Sequence, residues 1–150
     1  PFLLELLNSP GWQTNIGDRG VHNLDDARKY AIYRIWLICR LKGFSFNLLE
    51  RKSDSALLGM CGLIKRDFLD DVDIGYALLP QHYGQGYAVE AAKAVADYAN
   101  EKLKLPRLAA ITIESNKPSQ RVLEKIGLRF ERMISVPDDD EELMLFGVDF

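Results

Sequence analysis

Ile74-Gly75-Tyr76-Ala77-Leu78-Leu79-Pro80-Gln81-His82-Tyr83-Gly84-Gln85-Gly86-Tyr87-Ala88 is the stretch on which the reading of the fold turns. A short apolar run, Ile74 to Leu79, stops at Pro80. Two glycines follow, and from Ala88 onward apolar residues recur at helical spacing. The spacing predicts a strand, a glycine loop and a helix in succession. Glycines at the start of a helix leave backbone N–H groups bare and pointing outward, where the helix dipole also favours an anion. A phosphate or pyrophosphate is the natural guest of such a junction. The plainer alternative is a tight turn whose dihedral angles need glycine.

Downstream, the helix predicted over 86–103 places Ala88, Ala91, Ala92, Val95, Tyr98, Ala99 and Leu103 opposite Glu90, Lys93, Asp97, Glu101 and Lys104. Pro106 ends it, and Arg107 to Glu114 reads as a strand. Asn116 then caps a second helix, with Pro118 in its first turn and Gly127 as its stop. Two last strands, Leu128 to Val136 and Leu143 to Val148, flank the acidic run Asp138 to Glu142. Upstream, Pro1 to Asn8 predicts a helical turn or two, and the polar, glycine-punctuated residues from Trp12 to Gly20 read as a loop. Asn23 caps a helix with Asp25 and Asp26 in its first turn. Ala27, Ala31, Ile35 and Ile38 repeat at helical spacing, and Gly43 stops it. Three strand-like runs follow, Phe44 to Glu50, Ala56 to Lys65 and Ile74 to Leu79, joined by short polar spacers of hairpin length. The expected order is helix, three strands, helix, strand, helix, two strands, an α/β or α+β arrangement on a mixed sheet.

Composition narrows the function. With 150 residues, 47% hydrophobic and 27% charged, the chain has the length of one globular domain, expected to run over 1–150. The net charge of −3 and the lack of a basic stripe argue against nucleic acid as a partner. No apolar run has the length of a membrane span, and the first residues lack the basic and small-residue features of a signal peptide. Cys39 and Cys61 stand alone in apolar surroundings and are expected as buried, reduced thiols, so a cytoplasmic location is expected. His22 and His82 are too few and too far apart to suggest a metal site. The chain begins at Pro1 without a methionine, which suggests that the native N-terminus is trimmed or not present.

Three kinds of phosphate loop compete for the junction. A Walker loop fails because no Gly-Lys-Ser/Thr follows. A dinucleotide loop, G-x-G-x-x-G, finds two of its glycines but has Val89 at the third, although Glu114 could still mimic the ribose-binding acid. It also normally opens a parallel sheet, and here antiparallel strands precede it. The third kind fits best. Tyr83-Gly84-Gln85-Gly86-Tyr87-Ala88 resembles the acyl-CoA loop of the GNAT superfamily, Gln/Arg-x-x-Gly-x-Gly/Ala. Asn116 to Leu128 resembles that family's second signature, an Asn followed by a helix ending in Gly and an apolar residue. The resemblance runs over nearly the whole chain. It is nearest to the branch typified by the RimJ and RimL ribosomal-protein N-terminal acetyltransferases, in which Gly-Tyr-Ala followed by Glu-Ala is common, here Gly86-Tyr87-Ala88 and Glu90-Ala91.

The resemblance implies a mostly antiparallel sheet with one splayed strand pair and flanking helices, and an N-terminal strand that this sequence lacks. It implies an N-acetyltransferase using acetyl-CoA as acyl donor, without a metal, and a small-molecule amine or a protein N-terminus as acceptor, in a monomer or homodimer. Ala77, Leu78 and Leu79 would hold the pantetheine arm, and the amides of Gly84, Gln85, Gly86, Tyr87 and Ala88, with Tyr83 beside them, the pyrophosphate. Asn116 and Ser119 would meet the CoA arm or the thioester sulfur, Asn116 also serving as a helix cap. An alkylammonium of pKa about 10 must lose a proton before it can attack, so a carboxylate near the splayed strand is sought. Asp73 and Glu114 are the candidates, and a buried setting would raise either pKa. Many members carry a tyrosine general acid in the last helix. Leu123 occupies that position here, leaving Ser119, and Tyr76 as a further candidate, to protonate the sulfur. Trp12, Asp18 and Arg19 are expected to line the acceptor site, together with the loop joining the last two strands. The acidic run Asp138 to Glu142 would suit a cationic acceptor if it is more than a solvated turn. Two other readings stay open, a non-catalytic acyl-CoA-binding module and an NAD(P)-dependent oxidoreductase.

Overall fold

The computed structural model describes residues 1–150. Two short helices, α1 (Phe2–Leu7) and α2 (Pro10–Asn15), precede α3 (Leu24–Tyr30), which runs through a π-helical turn (Ala31–Trp36) into α4 (Leu37–Lys42). Local chemistry sets both ends of this composite helix. The Asn23 side chain accepts from the Asp26 amide at 2.9 Å, while the Asp26 carboxylate accepts from the His22 amide at 3.1 Å, a reciprocal cap. Gly43, at φ +80°, closes the other end by donating to the Cys39 carbonyl.

Three strands follow, β1 (Phe46–Glu50), β2 (Leu57–Ile64) and β3 (Asp73–Leu78), then α5 (Tyr87–Glu101), β4 (Arg107–Thr112), α6 (Lys117–Lys125), β5 (Arg129–Ser135) and β6 (Glu142–Asp149). The sheet order is β1-β2-β3-β4-β6-β5. Every neighbouring pair is antiparallel except β3 and β4, which run parallel and meet only at Asp73 and Ala109. A parallel dinucleotide-binding sheet is therefore absent, and with it the oxidoreductase alternative loses its scaffold.

Packing explains the near-continuous apolar run of β2, which is covered on both faces. Cys61 and Leu63 join Ala92, Ala96, Leu123 and Phe146 beneath α5 and α6. Met60 joins Leu6, Leu7, Trp12 and Leu79 beneath α1 to α3. Close approach to both neighbouring strands needs the two glycines of β2. A Cβ at Gly59 would lie 2.0 Å from the Ala77 carbonyl oxygen, and one at Gly62 would lie 2.1 Å from that of Ser45.

Two sequence expectations need correction. Pro10–Asn15 is helical rather than loop, because Trp12 is buried against Leu6 and Leu7 and Gln13 Nε2 donates to the Leu7 carbonyl at 2.7 Å. Tertiary packing stabilises a turn that its polar composition alone would not. Cys39 is exposed, and only Cys61 is buried, where the loss of solvent pushes its thiol up to about 12.

Candidate active site

Beyond Asp73 and Ala109 the two parallel strands diverge, β3 staying with β2 and β4 with β6. The wedge between them leaves the β4-facing backbone groups of β3 without a ladder partner, and a cleft of about 910 Å³ opens there. The glycine loop lies past the end of β3. Gly84 and Gly86 have φ of +71° and +85°, and a Cβ at either would meet nothing within 4 Å, so the loop faces open space. α5 starts directly after Gly86 with no side-chain cap. From Gly84 to Val89 no amide donates to an acceptor within the chain. A row of bare N–H groups at a helix start is an anion cradle.

Of the residues expected to hold the donor, Ala77, Leu78, Tyr83, Gly84, Gly86, Tyr87, Ala88, Asn116 and Ser119 all line this cleft. Leu79 does not. It is buried in the cluster beneath α1 to α3, and only its neighbours on β3 turn toward the wedge. The Gln85 side chain also stays out, its Nε2 donating to the Gln81 carbonyl at 3.2 Å.

The start of α6 reaches across the wedge to β3. Asn116 Oδ1 accepts from the Ser119 amide at 3.3 Å, which makes it a cap as well as a wall residue. The Tyr76 hydroxyl lies 2.9 Å from both the carbonyl oxygen and the Oγ of Ser119. Burial pushes the Tyr76 phenol well above its usual range, so it stays protonated through neutral pH. Leu123, at the position where the resemblance implies a tyrosine, is fully buried in the core and also lines the cleft. The Tyr76 hydroxyl on β3 thus meets the start of α6 within the cleft.

Asp73 sits at the apex of the wedge and is 1% exposed. Arg66 Nε donates to its carboxylate at 3.1 Å. Burial raises the pKa, the guanidinium lowers it, and burial dominates, leaving Asp73 at about 6. Glu114, the other carboxylate, is not brought into the cleft. The chain leaves the sheet after Thr112, and Glu114 is exposed in the turn before α6, with its backbone carbonyl accepting from Gln120 Nε2 at 2.8 Å.

The other expected acceptor residues divide. Trp12 and Arg19 line the cleft, whereas Asp18 is held outside it, accepting from the Gly20 amide at 2.7 Å and pairing with His22. The loop joining β5 and β6 contributes nothing to the lining, and the acidic run Asp138 to Glu142 is exposed away from it. Tyr30, Arg34 and Arg66 line the cleft and were not legible as site residues. Only the spacing of Tyr30 and Arg34, one turn apart on a helix, hinted at a shared face. No group of three or more His, Cys, Asp or Glu side chains is arranged to hold a metal ion.

Residues 1–129 match the Acetyltransferase (GNAT) domain family. The chain is 34% identical over 115 residues to the "Uncharacterized protein YkkB" of Bacillus subtilis, a match covering 74% of this chain and 67% of that protein. It is 42% identical over 81 residues to "Probable N-acetyltransferase YjcK" of the same organism, covering 53% of this chain but only 45% of that one. Among solved structures, an acetyltransferase from Agrobacterium tumefaciens superposes with a TM-score of 0.80 at 24% identity, over 99% of this chain and 83% of its own. A ribosomal-protein-alanine acetyltransferase from Vibrio fischeri shares the fold with a TM-score of 0.71 at 17% identity, over 88% and 75% of the two chains. With the domain match spanning most of its length and the split strand pair and amide loop in place, the chain belongs to the GNAT family of acetyltransferases.

Proposed function

We propose that this chain binds acetyl-CoA along the split between β3 and β4 and transfers its acetyl group to a primary amine. The observation that carries the reading is the row of unpartnered amides from Gly84 to Val89 at the open end of a cleft of about 910 Å³. Those amides suit the pyrophosphate, and the unpaired edge of β3 at Ala77 and Leu78 suits the amide-bearing pantetheine arm.

The chemistry needs a proton removed at one end and supplied at the other. Asp73, at about 6, is ionised at neutral pH and takes the proton of the ammonium, directly or through a water. The freed nitrogen attacks the thioester carbon, the C–N bond forms, the C–S bond breaks, and the nitrogen gives up its second proton to solvent. The departing thiolate takes a proton from the Ser119 hydroxyl, which the Tyr76 hydroxyl holds at 2.9 Å, and solvent restores it. Positioning supplies much of the remaining rate. Glu114 has no part in this scheme, because the turn before α6 keeps it outside the cleft. The acceptor is a small amine or a peptide N-terminus.

Calorimetric titration with acetyl-CoA, CoA and NAD in parallel tests the donor. Micromolar binding of both CoA species with NAD silent is the expected result. Silence with every CoA species would reduce the loop to a turn and end the proposal.

A further inference from the structure

Three arginines from three separate segments line one cleft together with a tyrosine. Arg19 comes from the loop after α2, Arg34 from the π-helical turn and Arg66 from the β2–β3 connection, and all three line the cleft with Tyr30. Burial pushes the Tyr30 phenol up in pKa and the three guanidiniums pull it down. Arg66 is committed to Asp73. Arg19 and Arg34 pair with no carboxylate of the chain.

The rest of the lining adds to the imbalance. Five of its side chains are cationic and two, Asp67 and Asp73, are carboxylates, in a chain whose net charge is −3. The lining thus offers positive charge with few carboxylates to receive it.

The donor phosphates do not account for Arg66. Arg66 is anchored at Asp73, the first residue of β3, while the glycine loop lies beyond Leu78 at the other end. Six residues of strand separate the two by roughly 17 Å. A guanidinium matches a carboxylate or phosphate with two parallel hydrogen bonds, and a cleft walled by protein concentrates its field.

Resting on the acetyl-transfer reading, we infer that the acceptor is an amine that also carries an anionic group, a carboxylate or a phosphate, seated on Arg19 and Arg34 beside Tyr30. Polyamines and basic peptide N-termini are disfavoured by the same charges.

The test measures thiol release from acetyl-CoA with acceptors matched in chain length: a simple alkylamine, an amino carboxylate, an aminoalkyl phosphate and a diamine. One of the two anionic amines is expected to exceed the alkylamine in kcat/KM by about 10- to 100-fold, mainly through KM, the factor a hydrogen bond to a charged group supplies. Which one wins identifies the anion. In Arg19→Gln and Arg34→Gln, neither of which loses an ion pair, the ratio of anionic to neutral acceptor should fall toward one. Loss of acetyl-CoA affinity in these variants with the ratio intact would reassign the arginines to the donor and overturn the inference. A wild-type preference for the diamine, or equal use of all four amines, would overturn it while leaving acetyl transfer standing. Failure to bind acetyl-CoA at all would instead remove the parent reading and the inference together.

Discussion

At Asp73 two effects act on one carboxyl group in opposite directions, and their balance sets what the residue can do. Burial at the wedge apex raises its pKa, Arg66 restrains the rise, and the result is about 6. The activity profile should therefore show an acid limb in kcat/KM near pH 6, where the base becomes protonated. Asp73→Asn should remove that limb and lower turnover by about 10²- to 10⁴-fold, measured by thiol release. Stability follows with a definite sign. A carboxyl whose folded pKa lies above the unfolded value of 3.8 contributes stability below that value and loses it as pH rises through about 6. The loss amounts to about 3 kcal/mol. Thermal melts of wild type should fall across that window, and those of Asp73→Asn should stay flatter. Gly86 supplies a second test at this scale. Its φ of +85° disfavours any L side chain, yet a Cβ there meets nothing within 4 Å. Gly86→Val should still fold, at a cost of about 1–2 kcal/mol, but lose acetyl-CoA affinity because its side chain stands over the bare amides. Calorimetry returning wild-type affinity from folded variant would refute the loop assignment.

Among the elements, β2 shows how tightly the sheet is drawn together. Gly62→Ala places a methyl 2.1 Å from the Ser45 carbonyl oxygen and 2.6 Å from the Phe46 Cα, both backbone atoms that cannot swing aside. The substitution should cost about 3 kcal/mol, or roughly 6–12 °C in Tm by calorimetric scan. An unchanged melt would mean that β1 can shift without loss. The helices were the most legible elements. Asn23, Gly43, Asn116 and Gly127 mark helix ends in the structure as their chemistry predicts. The helix α2 was not legible, since six residues with one tryptophan carry no periodicity, and its stability comes from α1 and the core beneath it. Nor was the π-helical turn, whose wider winding leaves no mark in composition.

For the molecule as a whole, the split between β3 and β4 is both the cleft and the one interruption in an otherwise continuous sheet. Acetyl-CoA bridging that split should stabilise the fold. At a concentration 100 times Kd, binding contributes about 2.7 kcal/mol, a rise of roughly 5–10 °C in Tm that NAD should not reproduce. The order of elements, the glycine loop and the helix caps follow from the sequence by itself, because each depends on residues within a turn or two of one another. The family resemblance rests on the same local signals. Long-range convergence was decided only in three dimensions. Tyr76 meets Ser119 across 43 residues because the wedge brings the side of β3 against the start of α6. Glu114 and Asp18, close in sequence to true wall residues, fall outside because the chain turns away from the sheet where they stand. Arg19, Arg34 and Arg66 look in sequence like ordinary surface charges, and only the packing of three separate segments sets them along one cleft. Local chemistry sets which elements form, whereas the meeting of their side chains depends on register and on where the sheet divides.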